Sequence, residues 1–112
     1  MVKLLIKPLS ANSAFKGRKF RTKEYDTYIR SVLFLLPKMS IGVAPYSIIL
    51  EFGLSNTNND LDNNFKPFID CLVKKYDFDD RQIYHLEATK VMVKKGEEYI
   101  KFELLHYSKP NV

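Results

Sequence analysis

The spacing of apolar residues changes period along the chain, and each change predicts an element. In "VKLLIK" Val2, Leu4 and Ile6 share one face, the two-residue period of a strand, and Pro8 ends it. Small and polar residues with Gly17 then predict a loop over "SANSAFKGRK". The period lengthens after that. Thr22 is suited to cap a helix running to about Leu36, where Pro37 stops it. Tyr25, Tyr28, Ile29, Val32, Leu33, Leu35 and Leu36 fill one broad arc of that helix, with Asp26, Thr27, Arg30 and Ser31 opposite. Phe34 falls on the polar side.

Alternation returns in "PYSIILEFGL", which puts Tyr46, Ile48, Leu50, Phe52 and Leu54 on one face of a second strand. A polar loop, "SNTNN", leads to a second helix. Pro67 lacks an N–H and fits where a helix needs no donor, so Asn64 is the expected N-cap and Asp60 and Asp62 lie in the entering segment. Phe65, Phe68, Ile69, Leu72, Val73 and Tyr76 form its apolar stripe, with Cys71 near the edge as a packing residue. "QIYHLEATKVMVK" and "EYIKFELLHY" are rich in strand formers and read as a hairpin around Gly96. The order β-α-β-α-β-β predicts an α+β fold, two helices on a mixed sheet, in a single domain over residues 1–112.

Composition narrows the function classes. With 46% hydrophobic residues in 112, a buried core is expected and disorder is not. A lone cysteine excludes an internal disulfide framework and a cysteine-based zinc site. No apolar run approaches the ~18 residues of a membrane span, and "MVKLLIKPLS" is too short and lysine-broken for a signal peptide. The expected partner list has no membrane, and the expected location is the cytoplasm.

The net charge of +5 favours a polyanion. Much of it sits in "KGRKFRTK", where Lys16, Arg18, Lys19, Arg21 and Lys23 surround Phe20. This run is either a solvated loop or a grip on a nucleic-acid backbone.

Acids are concentrated elsewhere. Asp60 and Asp62 precede the second helix, and Asp79 and Asp80 follow it. The helix dipole favours the first pair without any ligand but disfavours the second. Clustered carboxylates suit a hard cation such as Mg²⁺, which is held by one or two of them plus phosphate oxygens. Phe65 and Cys71 occupy positions where a calcium loop needs glycine and glutamate, which excludes an EF-hand. Lys66, four residues after Asp62, is either half of a surface ion pair or a cation beside a metal-bound phosphate. Lys90 shares the strand phase of Tyr84, Leu86, Ala88 and Met92, the expected core face, so it snorkels, marks a bulge or points into a site. His85 and His106 lack metal-ligand spacing.

The run "DLDNNFKPFIDCL…DFDDRQI" strongly resembles the RusA family of Holliday-junction resolvases. Asp60, Asp62, Asn63, Lys66 and Asp70 match that family's D-x-D-N-x-x-K-x-x-x-D run, and Asp79, Asp80 and Gln82 match its D-D-x-Q segment. Pro8, Ser10 and Asn12 resemble its P-x-S-x-N opening. The resemblance spans nearly the whole chain. It implies a RusA-like domain that forms a cytoplasmic homodimer, phage- or prophage-encoded. It implies an enzyme, a Mg²⁺-dependent (or Mn²⁺-dependent) structure-selective endodeoxyribonuclease that resolves four-way junctions in DNA recombination and repair. By the resemblance Asp60, Asp62 and Asp80 are metal ligands and catalytic, Lys66 is a catalytic phosphate contact and Asp79 is supporting. Asn12 and Lys90 join Lys16, Arg18, Lys19 and Arg21 as DNA contacts. One departure is the neutral "SNTNN", where relatives carry arginines. The alternative from another class is a non-catalytic nucleic-acid-binding protein that uses residues 16–23, its acids serving as caps.

Overall fold

The computed structural model describes residues 1–9, 15–16, 20–56 and 61–109, with residues 15, 16, 20, 21 and 61–63 described by backbone alone. Its order is β1 (Val2–Leu4), β2 (Phe15–Lys16), β3 (Phe20–Arg21), α1 (Lys23–Leu35), β4 (Tyr46–Leu54), α2 (Leu61–Tyr76), a 3₁₀ turn (Asp80–Gln82), β5 (Ile83–Met92) and β6 (Tyr99–His106). The fold is α+β, with two helices and a four-stranded mixed sheet in the order β1-β6-β4-β5.

Strand β4 is central. Tyr46, Ile48, Leu50, Phe52 and Leu54 are all buried, as their alternation requires. They meet Tyr25, Tyr28, Ile29, Val32 and Leu36 around α1 and Phe68, Cys71 and Leu72 from α2. Phe68 packs edge-on between Phe52 and Phe102, with ring centroids 6.4 and 5.5 Å away. The Thr22 hydroxyl accepts the Tyr25 N–H at 3.1 Å and caps α1. Leu35 departs from the predicted buried arc and is 40% exposed; Phe34, on the polar side, is 88% exposed. Burial pushes the Cys71 thiol up to about 12, so it packs as a neutral residue. No helix among the described residues is long and apolar enough to cross a membrane.

Four local expectations are corrected. First, β5 and β6 do not form a hairpin. Both flank β4, with β5 parallel and β6 antiparallel to it. Residues 93–98 must therefore cross two inter-strand spacings, roughly 10 Å, which six residues span with ease. The Val93 N–H donates to the Leu54 carbonyl at 2.9 Å and the Ser55 hydroxyl to Glu98 at 2.6 Å, tying the crossing to the end of β4. Second, the segment read as a loop contains paired residues, with Phe15 opposite Arg21 and Lys16 opposite Phe20.

Third, α2 starts at Leu61, so Asn64 is a fully buried interior residue rather than the N-cap, and Asp62 lies in the first turn. Pro67 is then internal, and the lost N–H bond and ring clash cost about 3 kcal/mol. Burying Phe68 and Leu72, each worth about 1.5–3 kcal/mol, offsets that cost. Fourth, Lys90 keeps the phase of Leu86 and Ala88, opposite Phe52, but is exposed at the edge of the sheet. The irregularity of β5 lies at its other end, where the register shifts between Tyr46 and Ser47.

Gly53 permits a close approach on the face away from the helices. The Tyr99 ring lies over it, and a Cβ at that position would collide with the ring edge. Tyr99 cannot swing aside without cost, because its hydroxyl donates to Glu51 at 2.6 Å, a bond that raises the phenol to about 12. Gly53→Ala is therefore expected to lose about 1–3 kcal/mol of stability by overpacking, read as a lower denaturation midpoint. An unchanged midpoint would mean the ring relaxes freely.

Candidate active site

Helix α2 runs back along β4, and the chain must then turn sharply to start β5 beside the beginning of β4. Asp77 makes the turn at φ 54°, a left-handed conformation that aspartate tolerates better than most residues. The Phe78 ring packs on Tyr46 at 5.0 Å and anchors the turn to the core. A capping box then fixes the 3₁₀ turn. Asp79 Oδ1 accepts the Arg81 N–H at 2.9 Å, and Gln82 Oε1 accepts the Asp79 N–H at 3.0 Å. Asp79 Oδ2 accepts from Arg81 Nη2 and Nε at 2.7 and 3.1 Å. These bonds to Arg81 hold the Asp79 carboxyl well below the usual carboxylate range. Asp79 thus shapes the turn.

Asp80, next in the chain, is exposed and faces a cleft of about 310 Å³. Lys66 and Asp70, one turn apart on α2, line the same cleft, with Phe65 and Ile69 as apolar wall. Tyr84 and His85 line it from β5. Burial raises the half-buried Asp70 carboxyl; Lys66 opposes that rise and Asp80 adds to it. The two carboxylates are thus close enough to repel, and the Lys66 charge offsets part of that repulsion.

The arrangement has a column and a flank. Asp62, Lys66 and Asp70 follow each other at four-residue steps on α2, the spacing that stacks residues on one helix face. Asp80 flanks the carboxyl end of that column. Among the described residues no three acidic, histidine or cysteine side chains form a metal-binding group. Asp60 and the Asp62 side chain lie outside the described residues, as do Asn12, Arg18, Lys19 and the side chains of Lys16 and Arg21. Lys90 does not line the cleft. It lies roughly 23 Å along β5 from Ile83, toward the start of α2. Of the three expected metal ligands only Asp80 has a described side chain; the carboxylate beside it is Asp70, and oxygen donors of this kind suit a hard divalent cation.

The sequence names Asp70 only as a motif match and a candidate partner of Lys66, and it puts Tyr84 and Met92 on the core face of their strand, whereas both are exposed. Asp70 carried a signal, its four-residue step from Lys66. Tyr84 carried none, because its exposure depends on the register shift. His85 belongs to a polar cluster beside the cleft: Ser47 Oγ lies 2.6 Å from its Nδ1, and Glu87 Oε1 lies 3.5 Å from its Nε2. No family model matches the chain, and no curated protein matches it.

Proposed function

We propose that this chain is a metal-dependent, structure-selective endodeoxyribonuclease that cuts four-way DNA junctions, as its resemblance to RusA-type resolvases implies. One observation carries the reading: Asp80 lies beside Lys66 and Asp70, on the helix column that Asp62 begins. Dipole and capping arguments account for acids at the start of a helix. They also account for Asp79 and Asp80 at the start of the 3₁₀ turn, but they do not call for Asp80 to face Lys66 and Asp70 across a cleft.

Asp60, Asp62 and Asp80 are the Mg²⁺ (or Mn²⁺) ligands that the resemblance implies; Asp62 and Asp70 stand two turns, about 12 Å, apart on α2, so one ion held by all three would need Asp80 to reach past Asp70 toward Asp62. Such an ion, when bound, polarises the phosphate and lowers the pKa of its water. The chain's own residues do the rest. Lys66 contacts the scissile phosphate and offsets the charge that builds as the P–O bond breaks. Asp70, one turn from Lys66, adds its negative charge beside the ammonium. Asp79, locked to Arg81, sets the direction of Asp80. Lys16, Arg18, Lys19 and Arg21 bind the DNA backbone, with Asn12 and Lys90 as further contacts. Two copies related by a two-fold axis present two such sites to a pseudo-two-fold junction.

The test sets a synthetic four-way junction beside a linear duplex of equal arm length, both with Mg²⁺. The reading expects the junction to be cut and the duplex to stay intact. Binding of the junction without cutting would leave a nucleic-acid-binding protein that uses residues 16–23.

The basic run has its own test. Each phosphate contact on duplex arms contributes about 0.9 to the slope of log K against log salt. Replacing both Arg18 and Lys19 with alanine is expected to weaken junction binding and flatten that slope. An unchanged slope would remove the run from the interface.

A further inference from the structure

Carboxylates and Lys66 act on phosphates, and phosphates are alike in a duplex and in a junction. Selectivity for structure needs a surface that reads something a duplex hides. The register shift between Tyr46 and Ser47 pairs Ile83 with Tyr46 and His85 with Ser47, which leaves Tyr84 as the extra residue of β5. Bulges of this kind re-aim side chains and recur beside active sites. Tyr84 is 67% exposed, on the rim of the cleft that holds Lys66, Asp70 and Asp80. Its ring leans on Tyr107, with centroids 5.9 Å apart at 59°. Tyr107 is fixed in turn: its backbone N–H donates to the Pro45 carbonyl at 2.8 Å, and its ring lies 6.3 Å from His85 at 32°.

We propose that Tyr84, backed by Tyr107, is a stacking shelf that takes an unstacked nucleobase of the DNA beside the cleft. The proposal rests on the nuclease reading and adds what that site recognises. The chemistry matches the two halves of a nucleotide, an aromatic face for the base and the Lys66 ammonium for the phosphate. Base faces inside a duplex are covered. At a point of strand exchange a base comes out of the stack at least cost, because its pairing and stacking are already strained. A tyrosine ring loses little conformational freedom on contact and accepts any base, so the shelf reads structure without reading sequence.

Wild type, Tyr84→Ala and Tyr84→Phe are compared in EDTA for affinity to a four-way junction and to a linear duplex. A 2-aminopurine at the exchange point reports stacking. Stacking of one base on an aromatic ring corresponds to an affinity change of roughly ten-fold or more. Tyr84→Ala is expected to weaken junction binding by about that factor, leave duplex binding unchanged and abolish the fall in 2-aminopurine fluorescence. Tyr84→Phe, which keeps the ring, is expected to match wild type. Junction affinity unchanged in Tyr84→Ala, an equal loss on duplex, or a loss in Tyr84→Phe as large as in Tyr84→Ala would each overturn the shelf. The two readings fail separately. Wild type that neither prefers nor cuts the junction refutes the nuclease and the shelf with it. Wild type that does both, with Tyr84→Ala indistinguishable, refutes the shelf alone.

Discussion

Asp62→Asn is expected to abolish junction cleavage in Mg²⁺ while the protein stays folded. Asparagine keeps the shape of aspartate and removes the charge a divalent cation needs. Asp62 lies in the first turn of α2, where a negative charge contributes about 0.3–1 kcal/mol through the helix dipole. Loss of that contribution lowers the melting midpoint slightly and does not unfold the chain. Without metal, removing a carboxylate near phosphate leaves junction binding equal or tighter, because the carboxylate repels DNA when no cation screens it. If Asp62 served only the helix, activity would survive, since the dipole term is small. A cleavage assay in Mg²⁺ beside a binding gel in EDTA separates the two outcomes, and retained cutting would remove Asp62 from the metal site.

The second large effect is at Lys66. Lys66→Ala is expected to slow single-turnover cleavage about 10²-fold or more, the loss seen when one transition-state donor is removed. Lys66 is exposed, so the surface pairing it gives up is worth at most about 1 kcal/mol. The variant should therefore melt almost as wild type does. The structure adds a second consequence. Lys66 opposes the upward shift of Asp70, so its removal leaves Asp70 and Asp80 repelling each other with less compensation. The Mg²⁺ concentration needed for cleavage is expected to fall, since Asp70 and Asp80 together draw a cation more strongly once the ammonium is gone. Near-normal turnover at saturating DNA would leave Lys66 as a helix-surface residue only.

The parts of the fold legible in the sequence are those where one local rule decides. Alternation from Tyr46 to Leu54 settled which face of β4 is buried, because a strand in a two-layer fold has a single covered side. Thr22 and Pro37 bounded α1 by their own chemistry. The errors arose where a distant contact outweighs a local preference. Pro67 argued for a helix starting late, yet the burial of Phe68, Cys71 and Leu72 carries the helix through it. The turn around Gly96 was real, with φ 94°, but strand adjacency is a property of the sheet, and β4 takes the place between β5 and β6.

The site followed the same division. The acids were visible as a pattern, and the helix spacing gave the step from Asp62 to Lys66. The approach of Asp80 to Lys66 and Asp70, rather than to the helix start at Asp62, depends on the turn at Asp77 and the parallel pairing of β5 with β4, neither of which local periodicity encodes. Lys90 was judged by phase alone, and phase does not say how far a helix layer covers an edge strand.

The central claim is that these acids support paired hydrolysis of a four-way junction. Its most direct test is a strand-resolved cleavage gel, with each of the junction's strands end-labelled in turn and incubated with the wild-type protein in Mg²⁺ or in EDTA. The account predicts nicks at symmetric positions in one pair of opposite strands in Mg²⁺ and four intact strands in EDTA. Intact strands in Mg²⁺, or the same nicks in EDTA, would contradict it.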